Sequence, residues 1–196
     1  MNKKEFVTLI PEPAISRLFF ADTRFAWVWL VFRLYVGWFW IEVGWKKVLD
    51  PLWTGDRAGI IVTAFIKGAL NKTEGDYPDV SEWYAFILET IVLPNSAFVS
   101  YIVAYGELLV GVGLILGAFT GFAAFFGSLM NMSYLFAGTV SVNPIMALLQ
   151  LFLILAWRVA GWFGIDRYLL PLLGTPWHPG KLFKKQTSSS SGNSSA

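Results

Sequence analysis

The sequence predicts an all-α membrane protein: a four-transmembrane-helix bundle with two short amphipathic helices in its long first loop. Three observations predict it. Of 196 residues, 56% are hydrophobic and only 14% are charged, against roughly 45–50% apolar in ordinary soluble domains. Mean hydropathy is +0.56, with 10 Trp and 17 Phe, more apolar surface than a sphere of this size can hide. Four apolar stretches also reach the roughly 20 residues that cross a bilayer at ~1.5 Å per residue.

Residues 1–24 read as an N-terminal interfacial segment. Lys3 and Lys4 suggest a signal peptide, but Glu5, Pro11, Glu12, Pro13 and Arg17 interrupt the apolar region and no small-residue cleavage site follows. The first membrane segment is therefore expected to stay. The spans are expected at about 25–45, 97–117, 121–140 and 144–162, within a membrane domain of residues 25–176. Gly117 to Gly121 is a tight turn, and Ser141 to Pro144 is another, with Asn143 expected as an N-cap and Pro144 at the first helical position. Short links make the last three spans antiparallel neighbours.

The long loop, 46–96, departs from this pattern. Ile60, Ile61, Ala64 and Phe65 share a face of one short helix between Asp56 and Leu70. Trp83, Phe86, Ile87, Thr90 and Ile91 share a face of a second, between Ser81 and Val92. They are expected to lie on the membrane surface or over the mouth of the bundle; an ordinary folded loop fits equally. Residues 164–173 look interfacial, and 177–196 read as a disordered Ser-rich tail. The loop holds seven acids (Asp50, Asp56, Glu74, Asp76, Asp79, Glu82, Glu89) against five bases, whereas the end segments are basic. The positive-inside rule then favours a multi-pass protein of the cell membrane with both termini cytoplasmic.

Composition excludes several chemistries. A net charge of +2 with no basic-aromatic clustering does not suggest nucleic acid. Cysteine is absent and His178 is the only histidine, which removes disulfides, thiol relays, iron–sulfur clusters, a bis-histidine haem within one chain and any ordinary zinc site. No metal site and no covalently bound cofactor are expected.

What remains is charge inside the spans, which is costly in lipid and turns toward the bundle interior. By helical rise, Arg33 lies ~12 Å and Glu107 ~16 Å from the inner face, with Arg158 ~7–10 Å from it. These three are expected to share a layer that could hold an anion or polarise a quinone carbonyl. Nearer the outer face, Glu42 and Lys46 have the favourable i, i+4 order. With Tyr35, Trp38, Trp45, Tyr101, Tyr105, Asn131, Tyr134 and the Asn143–Gln150–Trp157 face they are expected to line a polar, aromatic cleft opening toward the loop. The same residues could instead serve only to lock helix register, and for Asn131 and Gln150 that interhelical role is favoured.

The run Arg33-Leu-Tyr-Val-Gly-Trp-Phe-Trp-Ile-Glu-Val-Gly-Trp-Lys-Lys47 resembles the opening helix of the DoxX/DoxD family of small four-helix membrane proteins. Tyr105-Gly-Glu-Leu-Leu-Val-Gly-Val-Gly-Leu114 is similar to its second signature, and the Asn131 helix and the Trp157-Arg158 end of the fourth span also resemble it. The resemblance extends over roughly 25–177. It implies a membrane subunit of thiosulfate:quinone oxidoreductase, with quinone as substrate or bound cofactor and a second redox subunit as partner. Glu42, Glu107 and Arg33 are the candidate catalytic residues. Trp38, Trp45, Lys46, Tyr105, Asn131 and Arg158 are the candidates for quinone binding. The alternative is a non-catalytic scaffold or anchor for a partner redox or stress-response protein.

Overall fold

The computed structural model of the chain describes residues 12–174, and every regular element among them is helical. The expected tail at 177–196, and His178 with it, lie outside the described residues. In chain order the elements are α1 (Ala14–Ala21), a 3-10 turn (Thr23–Phe25), α2 (Ala26–Leu49), α3 (Pro51–Thr54) and α4 (Ile60–Leu70). Then come α5 (Glu82–Ile87) with a π-helical turn (Leu88–Val92), α6 (Ser96–Leu116), α7 (Thr120–Phe136), α8 (Asn143–Leu155), α9 (Trp157–Ala160) and α10 (Asp166–Leu173).

Among the described residues, two helices are long and apolar enough to cross a membrane: Thr23–Leu49, which is α2 with its preceding turn, and Ser96–Leu116, which is α6. The shorter apolar helices α7 and α8 complete a bundle in which α2 packs on α6, α6 on α7, α7 on α8 and α8 back on α2. The core between them holds Val36, Trp40, Val110, Leu114, Ala124, Met146 and Leu153. Outside it, Val31, Leu109, Phe122, Phe125, Leu129, Leu148 and Leu151 stand exposed around the bundle. Soluble monomers rarely expose so continuous an apolar surface; lipid is the solvent that suits it.

Glycine sets how closely α2 and α6 approach. A Cβ at Gly44 would fall 2.5 Å from the Leu108 amide nitrogen, and one at Gly111 would fall 2.6 Å from the Ile41 nitrogen. The two backbones therefore meet with no side chain between them, the small-residue contact by which helices associate in lipid.

The long loop is an ordered cap. Asp50 accepts from the Leu52 amide at 2.9 Å and Pro51 occupies the first turn, which together start α3. Helix α4 begins at Ile60, four residues later than the sequence suggests, because Gly59 sits at φ +93° where it presses on the Ala97 backbone. The cap has its own small core of Val62, Ile66, Ala69, Val80, Leu88 and Ala137. Lys72 donates to the Gly138 carbonyl and Tyr84 to the Ser133 carbonyl, tying the cap to the end of α7. Burial pushes the Tyr84 phenol above its usual range, so it remains a donor there.

Two local expectations are corrected. Residues 144–162 do not form one helix: the chain breaks at Ala156, and α9 turns aside to meet α1 and α2. Asn143 is the first residue of α8 rather than its cap, and its amide donates back to the Thr139 carbonyl at 2.9 Å.

Replacing Gly44 with valine should force α2 from α6 and cost about 1–3 kcal/mol, the usual range for overpacking. Gly106→Ala should be tolerated, since the nearest atom to its new Cβ is the Met130 sulfur at 3.7 Å. Thermal unfolding in detergent checks the contrast; equal losses would deny the α2–α6 contact its special role.

Candidate functional site

The inward face of α2 carries Arg33, Gly37, Trp40, Gly44 and Lys47, spaced 4, 3, 4 and 3 apart along a single stripe. Lys47, at the loop end, meets Glu107 of α6 and Tyr134 of α7. Its Nζ donates to Glu107 Oε1 at 2.6 Å and to the Tyr134 hydroxyl at 3.1 Å. The Tyr134 hydroxyl in turn donates to the same Glu107 oxygen at 2.7 Å. The Lys47 side chain is 16% exposed and that of Glu107 is 1%. Glu107 Oε2 is buried with no hydrogen-bond partner.

The cap roofs this cluster. Lys47 Nζ sits 4.4 Å from the centre of the Trp53 ring of α3, a cation–π contact. Phe65 of α4 and Tyr134 meet in a T-shaped ring contact with centroids 5.9 Å apart. Ser100 Oγ donates to the Trp53 carbonyl at 2.6 Å, holding the tryptophan against α6. One turn deeper on α7, the buried Asn131 amide donates to Gln150 Oε1 of α8 at 2.6 Å, while Gln150 Nε2 and Trp40 Nε1 are buried without partners. Gly127 provides the space in which the Gln150 amide lies.

Chemically, the cluster offers a cation and a phenol as donors and an enclosed carboxylate with one uncommitted oxygen, with Lys47 keeping a small part of its side chain exposed. Such a set can hold an oxygen acceptor while moving a proton. Among the described residues no group of three or more His, Asp and Glu side chains is placed to hold a metal ion.

Arg33, Glu107 and Arg158 do not share a layer. Arg33 is at the opposite end of the bundle, cradled by Gly117 and Gly164, with Nη2 donating to the Phe163 carbonyl at 3.2 Å. Beside it, the Asp166 carboxylate accepts from the Phe119 and Thr120 amides at 2.6 and 2.8 Å and so caps α7. Ile165 and Asp166 donate their amides to the Leu116 and Gly117 carbonyls at 3.1 and 2.8 Å. A cation at the C-terminus of α6 and an anion at the N-terminus of α7 both complement the helix dipoles. Arg158 lies near the N-terminal segment and pairs with Glu12 at 3.2 Å. The separation follows from antiparallel packing: with Gly44 opposite Leu108, Arg33 falls a further three turns away from Glu107.

The expected outer cleft is not formed either. Glu42 and Lys46 do pair, at 2.7 Å, but on the outside of the bundle, with side chains 51% and 71% exposed. Trp38, Trp45 and Tyr35 stand exposed on the same face. Tyr105 stacks on Tyr101 along the outer side of α6. Of the expected residues, Glu107, Asn131, Tyr134 and Gln150 lie together in the interior near the loop. Sequence reasoning passed over Lys47 as a site residue. The signal available was the Arg33–Trp40–Gly44–Lys47 stripe, which the i, i+4 spacing of Glu42 and Lys46 outweighed.

At the Arg33 end, an apolar groove of about 610 Å³ runs between α7, α8 and α10, lined by Phe119, Phe122, Phe125, Ile154 and Trp157 among others. Its acid, Asp166, is already committed to the cap of α7.

Removing one partner of a buried ion pair leaves the other charge uncompensated and costs about 3–5 kcal/mol. Glu107→Leu should therefore melt markedly lower than the wild type, and the double variant Lys47→Met, Glu107→Leu should recover most of the loss. Unfolding of both in detergent tests the coupling; purely additive losses would show that the two side chains act independently.

The DoxX family model matches residues 57–140, from just before α4 to just after α7. That stretch contains Phe65, Glu107, Asn131 and Tyr134, whereas Lys47 and Trp53 precede it. No curated protein and no solved structure matches the chain. The chain thus carries a DoxX family domain over residues 57–140, and among the described residues two helices are long and apolar enough to cross a bilayer.

Proposed function

We propose that this protein is a four-span subunit of a quinone-linked membrane oxidoreductase, with Glu107, Lys47 and Tyr134 as its working centre. The observation that supports it most is the Glu107 carboxylate, enclosed between helices, shared by an ammonium and a phenol, with Oε2 uncommitted. Ionisable side chains kept at such cost within a membrane bundle commonly serve proton or substrate paths.

In this reading α7, and α8 continued by α9, are the third and fourth spans, and both termini face the cytoplasm. The apolar belt that continues over α7 and α8 supports the spans, and the lysines and arginines of the end segments support the orientation. A quinone head enters beneath the cap, where Lys47 keeps part of its side chain exposed. One carbonyl oxygen accepts from Lys47 Nζ or Tyr134, whose donors stabilise the charge that develops as electrons arrive. Reduction to quinol takes up two electrons and two protons, and Glu107 is placed to pass protons. Lys47 and Tyr134 thus take the roles first assigned to Arg33 and Lys46.

With no cysteine and one histidine in the chain, the electrons come from a bound donor or from a partner subunit carrying a cofactor. The family resemblance favours thiosulfate, two molecules each giving up one electron and joining as tetrathionate.

A second reading, an anchor for a partner redox or stress-response protein, is favoured by one feature. The cap is a folded unit that displays Tyr77, Trp83 and Phe86 to its surroundings.

Protein purified from native membranes should carry extractable quinone, identified by mass. Membranes containing it should reduce a quinone analogue when thiosulfate is added, and Glu107→Gln should slow that reaction by about 10²-fold or more. Absence of both quinone and thiosulfate-dependent reduction, together with a stable complex in pull-down of the intact chain, would favour the anchor.

A further inference from the structure

The outer face of α2 is unusual for a surface in lipid. Tyr35, Trp38, Glu42, Trp45, Lys46 and Leu49 lie on it, opposite the stripe that enters the bundle. The height of Glu42 follows from the helix contacts. Gly44 abuts Leu108 and Gly111 abuts Ile41, so position 42 is level with Val110 of α6. Gly127 abuts Val110, which places that level at Gly127 of α7, between Phe125 and Leu129.

On α7 the exposed apolar side chains run from Phe119 through Phe122, Phe125 and Leu129 to Phe136. Glu42 is thus inside the apolar belt, with hydrocarbon-facing side chains both above and below it. Lys46, one turn nearer the loop, can extend its amine toward the headgroups. Glu42 has too short a side chain to follow it. Their hydrogen bond of 2.7 Å lessens the cost of the pair but leaves both groups facing outward. Groups of this kind normally face protein or water at such depth.

We propose that a second copy of this chain covers the outer face of α2, forming a twofold dimer across the Glu42–Lys46 pair. Charge selects the occupant. An isologous contact sets the same patch against itself, so a face of one sign would repel its mate. This face carries one anion and one cation a turn apart. A twofold axis along the membrane normal therefore places each Lys46 within reach of its own Glu42 and the partner copy's, closing a neutral ring of four charges. Trp38 and Trp45 bracket the ring and supply aromatic contact area on both sides of it. The proposal needs the bundle to lie in lipid and is independent of quinone chemistry: a dimer without quinone would sink the redox reading alone, and a monomer with quinone would sink the dimer alone.

The chain contains no cysteine, so one introduced thiol can form a disulfide only between molecules. Full-length Trp38→Cys, oxidised in its native membrane, should run as a covalent dimer of twice the chain mass. Leu148→Cys, on the exposed side of α8, should stay monomeric. Adding Glu42→Lys to Trp38→Cys should lower the dimer fraction at least tenfold by placing like charges across the axis. Native mass spectrometry of the unmodified chain in lipid nanodiscs gives an independent readout and should show the dimer. A monomer there, equal crosslinking at 38 and 148, or a crosslink at 38 to a protein of different mass would each overturn the proposal.

Discussion

Where α2 meets α6, backbone touches backbone. Gly44 against Leu108 and Gly111 against Ile41 leave α2 no freedom to rotate or slide, and this determines which of its charges enter the bundle. One residue is a rotation of about 100° on a helix. Lys47 therefore faces Glu107 while its neighbour Lys46 faces outward. The same contact sets the heights of Arg33 and Glu107 and so separates the two charged ends. The site is a consequence of this contact more than of any local motif.

Buried charge is used differently at the two ends. At the Arg33 end, both charges act on main-chain groups: the arginine donates to the Phe163 carbonyl beside the end of α6, and Asp166 accepts from the amides that start α7. Both charges are absorbed by helix termini whose dipoles they match. At the loop end, Glu107 is answered by side chains from two other helices and still has one oxygen without a partner. Between the two lies an apolar layer of Val36, Leu114, Ala124 and Leu153. Arg33 Nε and Nη1 are likewise buried without partners, but only at the loop end do an acid, an ammonium and a phenol from three helices meet one another, which is why the functional proposal rests there.

The helices were legible because their causes are local. Apolar length marked α2 and α6, the Gly117 turn marked the hairpin into α7, and apolar periodicity marked the two cap helices over 60–70 and 82–92. Their ends were less legible. Gly59 reads as an ordinary glycine until Ala97 is found against it, and the break at Ala156 answers to α1 and α2, which are distant in sequence. Site residues were legible in kind but not in partnership. Glu107 stood out as an acid within an apolar run and Tyr134 as a cleft residue, yet depth alone could not pair them or identify Lys47, since helix register is a tertiary quantity. The i, i+4 rule found a real pair in Glu42 and Lys46, but it is silent about which side of the helix is occupied.

The turn joining α6 to α7 is completed from far along the chain. Its carbonyls are answered by the amides of Ile165 and Asp166, its amides by the Asp166 carboxylate, and Arg33 reaches the same segment through Phe163. A ribosome delivers residue 166 only after α8 and α9 have left it. Until then the Leu116 and Gly117 carbonyls and the Phe119 and Thr120 amides lack the partners that the finished structure gives them. Insertion of the helices and closure of the bundle are thereby separate events, and the last stretch of the described chain to be synthesised acts as the clasp.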